Sequence, residues 1–240
     1  MHLSFCSSKF EKAVRESINV YDRALTTEDA LSVVELDLTN LYFKEDEEED
    51  IETLSFFTNL ESLSINLDSR ICFKSIWDLG WTYCGRDIDF GVFANMKKLK
   101  RLSVYGGDDY AIPFKNLDAL IPITSLEYLQ LYDFGPGDLS PLSKMSQLKA
   151  LALYNNRRLL NVSAIGDMTW LNELVLEELY VEDLEFLDYL PDSVSIKISC
   201  VQLSENADVK VKKWKRFKKR NISEIRKRWW DYIDLSSLDD

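Results

Sequence analysis

The sequence predicts an α/β solenoid, a repeating array with one parallel sheet of about seven short strands and a helical cap at each end. Two observations carry this prediction. A pattern of apolar residues recurs along the chain, and within each copy the apolar spacing changes from steps of three to steps of two. The 240 residues are 46% hydrophobic and 29% charged, which is sufficient for a sizeable core.

The copy at 140–156 shows the change of spacing. It reads SPLSKMSQLKALALYNN, and its apolar residues are separated by three, three, three and then two positions. A regular helix alternates steps of three and four, whereas a strand keeps steps of two. The first half therefore predicts a 3₁₀-like turn, in which residues i and i+3 eclipse. The second half predicts a short strand whose alternate side chains face the core.

Six further copies of the strand half follow the same pattern. The central strand residues are Leu36, Leu63, Leu102, Leu129, Leu151, Leu174 and Ile196. Their separations are 27, 39, 27, 22, 23 and 22 positions. A period in the twenties is typical of a solenoid, because one such unit cannot bury its own apolar face.

These repeats resemble leucine-rich repeats. The short form with DLSPLSKMSQLKALAL is most similar to the 22-residue internalin type, and FEKAVRESINVYDRALTTEDALSVVELDL resembles the helical cap that opens internalin-like arrays. The resemblance implies a helical cap over 1–32 and a leucine-rich-repeat solenoid over 33–203, and it leaves 204–240 as a separate cap or tail. It implies nothing about a particular activity.

The N-terminal segment also has helical features of its own. Ser8 and Glu11 have capping-box spacing, and Thr26 and Asp29 have the same spacing before a second short helix. One face of the first helix would carry Phe10, Ala13, Val14 and Ile18.

Two features depart from a regular array. Leucine-rich repeats usually carry Asn or Cys eight residues after the first Leu of the strand, and here only Asn156 fits. The other slots hold Leu41, Asp68, Gly107, Phe134, Leu179 and Val201, so we expect no continuous asparagine ladder.

The third unit also contains an insertion near 66–89 with Cys72, Trp77, Trp81 and Cys84. This insertion is either a partner-facing loop or a local packing satellite.

The charge is divided unevenly along the chain. The net charge is −12, yet residues 210–240 alone carry 11 Lys+Arg against 5 Asp+Glu. The acidic body would repel nucleic acid and attract basic protein surfaces, so no nucleic-acid partner is expected. The run EDEEED, Glu45–Asp50, is predicted to be a solvated loop, or an electrostatic contact for a basic partner.

The basic end KVKKWKRFKKRNISEIRKRWWDYI is predicted to be an amphipathic C-terminal cap. A solenoid needs its last open face covered, and we expect Trp214 and Trp229 to pack near Ile196 and Ile198. The alternative is binding to an anionic membrane through the basic side, with nucleic acid disfavoured by the acidic body.

The candidate binding face consists of the strand residues that flank the core positions. Tyr105, Tyr132 and Tyr154 fall in one column on consecutive strands. The other candidates on this face are Arg101, Tyr128, Glu173 and Glu177. Tyrosines beside small neighbours are typical of binding hot spots. The alternative is that the rings stack across strands and stabilise the sheet.

Catalysis finds no support in the residue pattern. The one histidine is His2, at a terminus that we expect to fray, so a His-based triad or His-rich metal site cannot be built. No phosphate loop, nucleophile elbow or dinucleotide fingerprint is present, although the many carboxylates leave an Asp/Glu pair open. We therefore expect no enzyme, no metal and no cofactor.

The sequence thus indicates a monomeric, non-catalytic protein that recognises another protein with a basic surface on its concave face. The alternative is an intracellular inhibitor or immunity protein that masks a basic toxin or nuclease. Sparse cysteines and the lack of a visible signal peptide or transmembrane segment favour the cytoplasm. An extracellular location is open if a signal was removed.

Overall fold

The computed structural model describes residues 1–40, 48–67, 88–106, 113–135, 137–156, 159–181, 184–199 and 201–203. Its centre is a seven-stranded sheet in which the strands follow the order of the sequence and all neighbours are parallel. The strands are β1 (Glu35–Leu38), β2 (Ser62–Asn66), β3 (Arg101–Tyr105), β4 (Tyr128–Tyr132), β5 (Ala150–Tyr154), β6 (Glu173–Glu177) and β7 (Ser195–Ser199). This confirms the predicted parallel sheet of seven strands.

The register of the sheet aligns equivalent residues of successive repeats. Leu102 pairs with Leu129, and Leu151 pairs with Leu174. All four leucines are at most 1% exposed, as predicted. Each repeat therefore adds the same two apolar side chains to one continuous core, and stacking neighbours is what buries them.

The return path of each repeat contains a short 3₁₀ helix, as the three-step spacing predicts. These helices are Leu54–Phe56, Phe90–Phe93, Leu117–Leu120, Ser140–Lys144, Val162–Asp167 and Glu185–Tyr189. The first of them continues directly from an α-helix, α3 (Glu48–Thr53). The prediction of a loop for the acidic run is therefore wrong for 48–50, and 45–47 lie outside the described residues. Acidic residues are favourable at the positive N-terminal end of a helix.

Pairs of two-residue parallel strands also join neighbouring return paths. The pairs are Ile88–Asp89 with Phe114–Lys115, Gly137–Asp138 with Leu159–Leu160, and Tyr180–Val181 with Gln202–Leu203. The ring of Phe114 lies directly over Gly137, where a Cβ atom would occupy the same space as the ring. Glycine is therefore required at 137 for close approach of these two segments.

Two short helices precede the first strand. α1 (Ser8–Ile18) buries Phe10 and Val14, and the ring of Phe10 lies 6.0 Å from that of Phe57. The expected capping box at Ser8 and Glu11 is wrong. Ser7 is the N-cap and accepts from the backbone N–H of Phe10. Glu11 lies one turn before Arg15, so its carboxylate accepts two hydrogen bonds from that guanidinium instead.

The second helix, α2 (Thr27–Ala30), has the predicted capping box. Thr26 and Asp29 each accept a hydrogen bond from the other's backbone N–H. Asp29 is also held by Arg23 through two hydrogen bonds of 2.6 Å. His2 forms a β-bridge with Thr26, so the expectation of a frayed N-terminus is wrong. Backbone hydrogen bonds such as Leu3 N–H to Leu25 O tie this segment to the loop before α2.

The slot that would hold the asparagine ladder is filled in two ways. Asn156 is fully buried; it donates to Leu131 O and accepts from Phe134 N–H, so it joins two repeats. The equivalent slots at Phe134 and Leu179 hold buried apolar side chains. Phe134 packs with Phe90 and Phe114, with ring centroids 5.4–6.0 Å apart. The spine of the array is therefore mainly aromatic and aliphatic.

The last strand of the sheet, β7, has two buried core residues. Ile196 and Ile198 are each 1% exposed. The repeat pattern has Ser193 at an apolar position, and the next residue, Val194, is buried there instead. The predicted tail of 204–240, with Trp214 and Trp229, lies outside the described residues. So do residues 68–87 of the insertion, with Cys72, Trp77, Trp81 and Cys84.

Candidate functional site: the tyrosine-bearing face of the sheet

Strand alternation places the candidate residues on one face of the sheet. β3, β4 and β6 all bury their second and fourth residues, and the first, third and fifth lie on the opposite face. Tyr105, Tyr132 and Tyr154 are the fifth residues of β3, β4 and β5 and are in register. We call these three residues the tyrosine stack. The sequence predicted both the column and the face.

The rings of the tyrosine stack are parallel and in contact. The centroids of Tyr105 and Tyr132 are 4.2 Å apart at 5° between planes, and those of Tyr132 and Tyr154 are 4.4 Å apart at 4°. All three residues are half-buried. The cross-strand stacking that was one sequence alternative is therefore present. Because both faces of the Tyr132 ring are covered, what remains for contact is the ring edges and the outer faces of the two end rings.

Hydrogen bonds hold the stack in place from the side. The hydroxyl of Tyr132 donates to Gln130 Oε1 at 3.3 Å, and Ser103 Oγ donates to the same oxygen at 2.9 Å. Burial, together with the two neighbouring phenols, raises the pKa of the Tyr132 hydroxyl well above its usual range. Burial and the nearby Glu177 carboxylate likewise raise the pKa of Tyr154. Both phenols are therefore neutral at physiological pH and remain able to donate a hydrogen bond.

Arg101 and Tyr128 are brought together at the start of β3 and β4. They are directly paired in the register, and the guanidinium carbon of Arg101 lies 5.1 Å from the centroid of the Tyr128 ring. This is cation–π geometry. Both residues were sequence candidates, but their contact with one another was not predicted.

The acidic candidates lie on β6, beside the open end of the tyrosine stack. Lys197 on β7 binds Glu173, with 2.7 Å between Nζ and Oε1, and this pairing raises the pKa of Lys197. Glu177 pairs in register with Tyr154 and with Ser199. Sequence reasoning missed Lys197 as a partner of Glu173. The available signal was its place on the same face, one strand over and two positions along.

Small side chains lie next to these larger ones. Ala150 and Ala152 occupy the first and third positions of β5, and Ala152 is 5% exposed. Their neighbours in register on β4 are Tyr128 and Gln130. The first and third positions of β5 therefore form a depression between the larger side chains of β4 and the tyrosine stack. Such a depression can receive protruding side chains.

Much of the charge at the edge of this face is internally paired. Lys100 binds Glu61 at 2.6 Å, and Lys149 binds Glu127 at 2.7 Å. These four residues immediately precede β2 to β5 and alternate in sign along the array. The acidic residues of β1, Glu35 and Asp37, are exposed but are separated from the tyrosine stack by β2.

The described ranges contain no group of three or more His, Cys, Asp or Glu side chains placed to hold a metal ion. Nor does any helix within them have both the length and the apolar character needed to cross a membrane.

Comparison with known proteins gives structural matches only. No protein-family model matches the sequence, and none of the curated proteins matches it. The crystal structure of an internalin, inlF, from Listeria monocytogenes is 19% identical, with a TM-score of 0.50 over 84% of this chain and 58% of that one. The structure of internalin C2 from the same organism is 17% identical over 84% of this chain and 87% of that one, with a TM-score of 0.49.

The fold is a leucine-rich-repeat solenoid. The seven-stranded, all-parallel sheet with strands in sequence order fits this fold. The chain spans 58% of the length of the inlF structure that it matches. At this identity the likeness concerns the fold alone.

Proposed function

We propose that this leucine-rich-repeat solenoid is a non-catalytic recognition module and that its protein partner docks on the concave face over the tyrosine stack. The tyrosine stack is the observation that carries the proposal. Tyrosine offers a large amphipathic contact area with few side-chain torsions. Stacking and the bond to Gln130 hold the rings in one arrangement before any partner arrives. A pre-ordered surface loses less conformational freedom on binding.

The partner surface that fits this face is basic. The chain carries a net charge of −12, and Glu177 lies at the end of the stack. Opposite charge raises the association rate and makes it sensitive to ionic strength. Tyr128 and Arg101 complete the proposed contact at the other end of the strands. Glu173, already bound to Lys197, would contribute mainly by orienting that lysine.

A narrower candidate is an intracellular inhibitor or immunity protein that masks a basic toxin or nuclease. The acidic composition favours it, since an extended negative surface complements an enzyme that binds nucleic acid. It would use the same face as the general recognition module. A partner with nuclease or toxin activity that is lost on binding would identify this candidate.

We further propose that the array belongs to the 22-residue class of internalin-like repeats, with 1–32 as its N-terminal cap. The spacing of 22 and 23 residues between the centres of β4, β5, β6 and β7 supports the class. The burial of Phe10 and Val14 on α1 supports a role of that helix in covering the first repeat.

The experiment begins with isolation of a partner by pull-down from the source organism. Calorimetry then compares its affinity for the unaltered chain and for the triple variant Y105A/Y132A/Y154A. A hot-spot residue contributes about 2 kcal/mol or more, so we expect binding to be lost in the triple variant. Tyr189→Ala is the matched control, since Tyr189 is 73% exposed and lies on a 3₁₀ helix away from the sheet.

Circular dichroism must first establish that the triple variant is folded. Unchanged affinity in a folded triple variant would contradict the proposal and move the site elsewhere. The 66–89 insertion is then the next candidate.

A further inference from the structure

We infer that the open end of the tyrosine stack is the binding position for one arginine side chain of the partner, which contacts both the ring of Tyr154 and the carboxylate of Glu177. This inference rests on the proposed function and names the chemistry of its anchor. Three observations carry it: the end of the stack, the local charge balance and a cation–π contact elsewhere on the same face.

The stack ends at Tyr154 in a way that exposes a mixed surface. One face of the Tyr154 ring is covered by Tyr132, with 4.4 Å between centroids. On its other side the residue in register is Glu177, on a strand about 4.8 Å away. Glu177 thus occupies the column position that a fourth ring would take. Both residues are half-buried, so an aromatic surface and a carboxylate lie side by side and remain reachable from solvent.

Among the residues that the structure describes, the charges around Tyr154 do not balance. Two carboxylates of this part of the chain, Glu173 and Glu177, lie near one ammonium group, that of Lys197. Lys197 binds Glu173 at 2.7 Å. Within the described ranges no hydrogen bond or ion pair involves the side chain of Glu177. After burial, the negative charge of the nearby Glu177 carboxylate is the largest cause of the raised pKa of Tyr154. One further cation would neutralise this cluster.

The same sheet face already shows how it holds a guanidinium. Arg101 lies over the ring of Tyr128 at 5.1 Å from the centroid. A planar guanidinium can stack on an aromatic ring while its N–H groups bind a carboxylate, whereas an ammonium is a point charge with a tightly held hydration shell. The pairing of Tyr154 with Glu177 therefore favours arginine over lysine.

The test is an NMR titration of the full chain with Nα-acetylarginine N-methylamide. The citrulline analogue, which has nearly the same shape and no charge, is the matched probe. We expect saturable shifts of the Tyr154 ring signals with the arginine probe, weakened by added salt, and much smaller shifts with citrulline. Glu177→Gln and Tyr154→Leu should each weaken binding about twofold to fivefold, as expected for part-exposed charge and cation–π contacts. Glu52→Gln, an exposed change on α3, should have no effect.

Equal binding of citrulline, unchanged affinity in both variants, or shifts that map away from Tyr154 would each overturn the inference. The proposed function fails separately. If the triple tyrosine variant no longer binds the partner while the arginine and citrulline probes bind equally, the proposed recognition face is supported and the arginine site is wrong. If the probe binds at Tyr154 while the partner binds the triple variant with unchanged affinity, the proposed function is wrong and the arginine site is not the partner's anchor.

Discussion

At the scale of single residues, Asn156 joins two repeats through its buried amide. Replacing it with leucine keeps a similar volume but removes its buried hydrogen bonds with Phe134 N–H and Leu131 O. Each buried unsatisfied group costs about 1–3 kcal/mol, so we expect the free energy of unfolding to fall by about 2–4 kcal/mol. Urea denaturation measures this change in the free energy of unfolding.

Asn172→Ala, an exposed change on the same array, is the control and should change the free energy of unfolding by no more than about 0.5 kcal/mol. A leucine variant as stable as the original chain would mean that aliphatic packing can replace the amide.

Asp29 gives a prediction for acid stability. The Arg23 guanidinium, followed by hydrogen bonds from Thr26, holds the pKa of the Asp29 carboxyl well below its usual range. A carboxyl with a lowered folded-state pKa stabilises the fold above its unfolded-state value and loses that contribution as the pH falls through the folded-state value. The stability difference between the original chain and Asp29→Asn should be constant above about pH 5 and shrink below about pH 4.

Denaturation curves at a series of pH values measure this difference. Asp167→Asn, an exposed change away from Arg23, is the control for removing one carboxylate. A difference that grows with falling pH would contradict the assignment.

At the scale of elements, the tyrosine stack should support the sheet as well as any partner. The rings lie away from the leucine core, so the sequence alone suggests that a single Tyr→Ala change leaves the fold intact. The observed stacking adds a measurable cost, because Tyr132→Ala removes two ring pairs worth about 0.5–1.5 kcal/mol each. We expect a loss of about 1–3 kcal/mol in chemical denaturation. Tyr132→Phe keeps the rings and should lose much less. Equal losses in the two variants would assign the effect to the hydroxyl and its bond to Gln130.

The paired two-residue strands on the return path give a second element-scale prediction. Gly137→Ala would place a methyl group against the ring of Phe114, so either the ring or the strand must move. Overpacking of this kind costs about 1–3 kcal/mol. Gly91→Ala is the matched control, since its Cβ would meet the carboxylate end of the Asp89 side chain rather than a packed aromatic ring. Thermal melting of both variants measures the difference. Equal melting temperatures would show that the Phe114 ring can shift freely.

At the scale of the whole molecule, the solenoid must be closed after β7. The sequence predicts that 205–240 covers the apolar end near Ile196 and Ile198, both almost fully buried. Deleting that segment should then lower the melting temperature and promote association. By the rule of roughly 25 cal/mol per Å² the cost is on the order of several kcal/mol. A truncated chain that melts unchanged and stays monomeric would show that the segment is no cap. It would then be available to bind a membrane or nucleic acid.

The repeat, the parallel sheet and the face that carries the tyrosines could all be predicted from the sequence. The change from three-step to two-step spacing predicted the 3₁₀ helices and the strands, because each secondary structure has its own side-chain period. Equal spacing of Tyr132 and Tyr154 within successive repeats also predicted that they share a column, since parallel stacking brings equivalent positions together. The helix caps could be predicted only in part. The predicted N-cap of α1 was Ser8 rather than Ser7, because either of two adjacent serines can serve as N-cap.

The contacts between those side chains, by contrast, depend on the folded structure. Whether the tyrosines would stack or stand apart depends on rotamers that the neighbouring strands impose, and repeat spacing carries no information about them. Charge pairing across strands, such as Lys197 with Glu173, was likewise hidden, because it joins positions offset by two residues on different repeats. Because Lys197 binds Glu173, no cation of the described ranges is paired with the Glu177 carboxylate. Periodicity fixes which residues share a face, whereas contacts between long side chains fix which of them remain available to a partner.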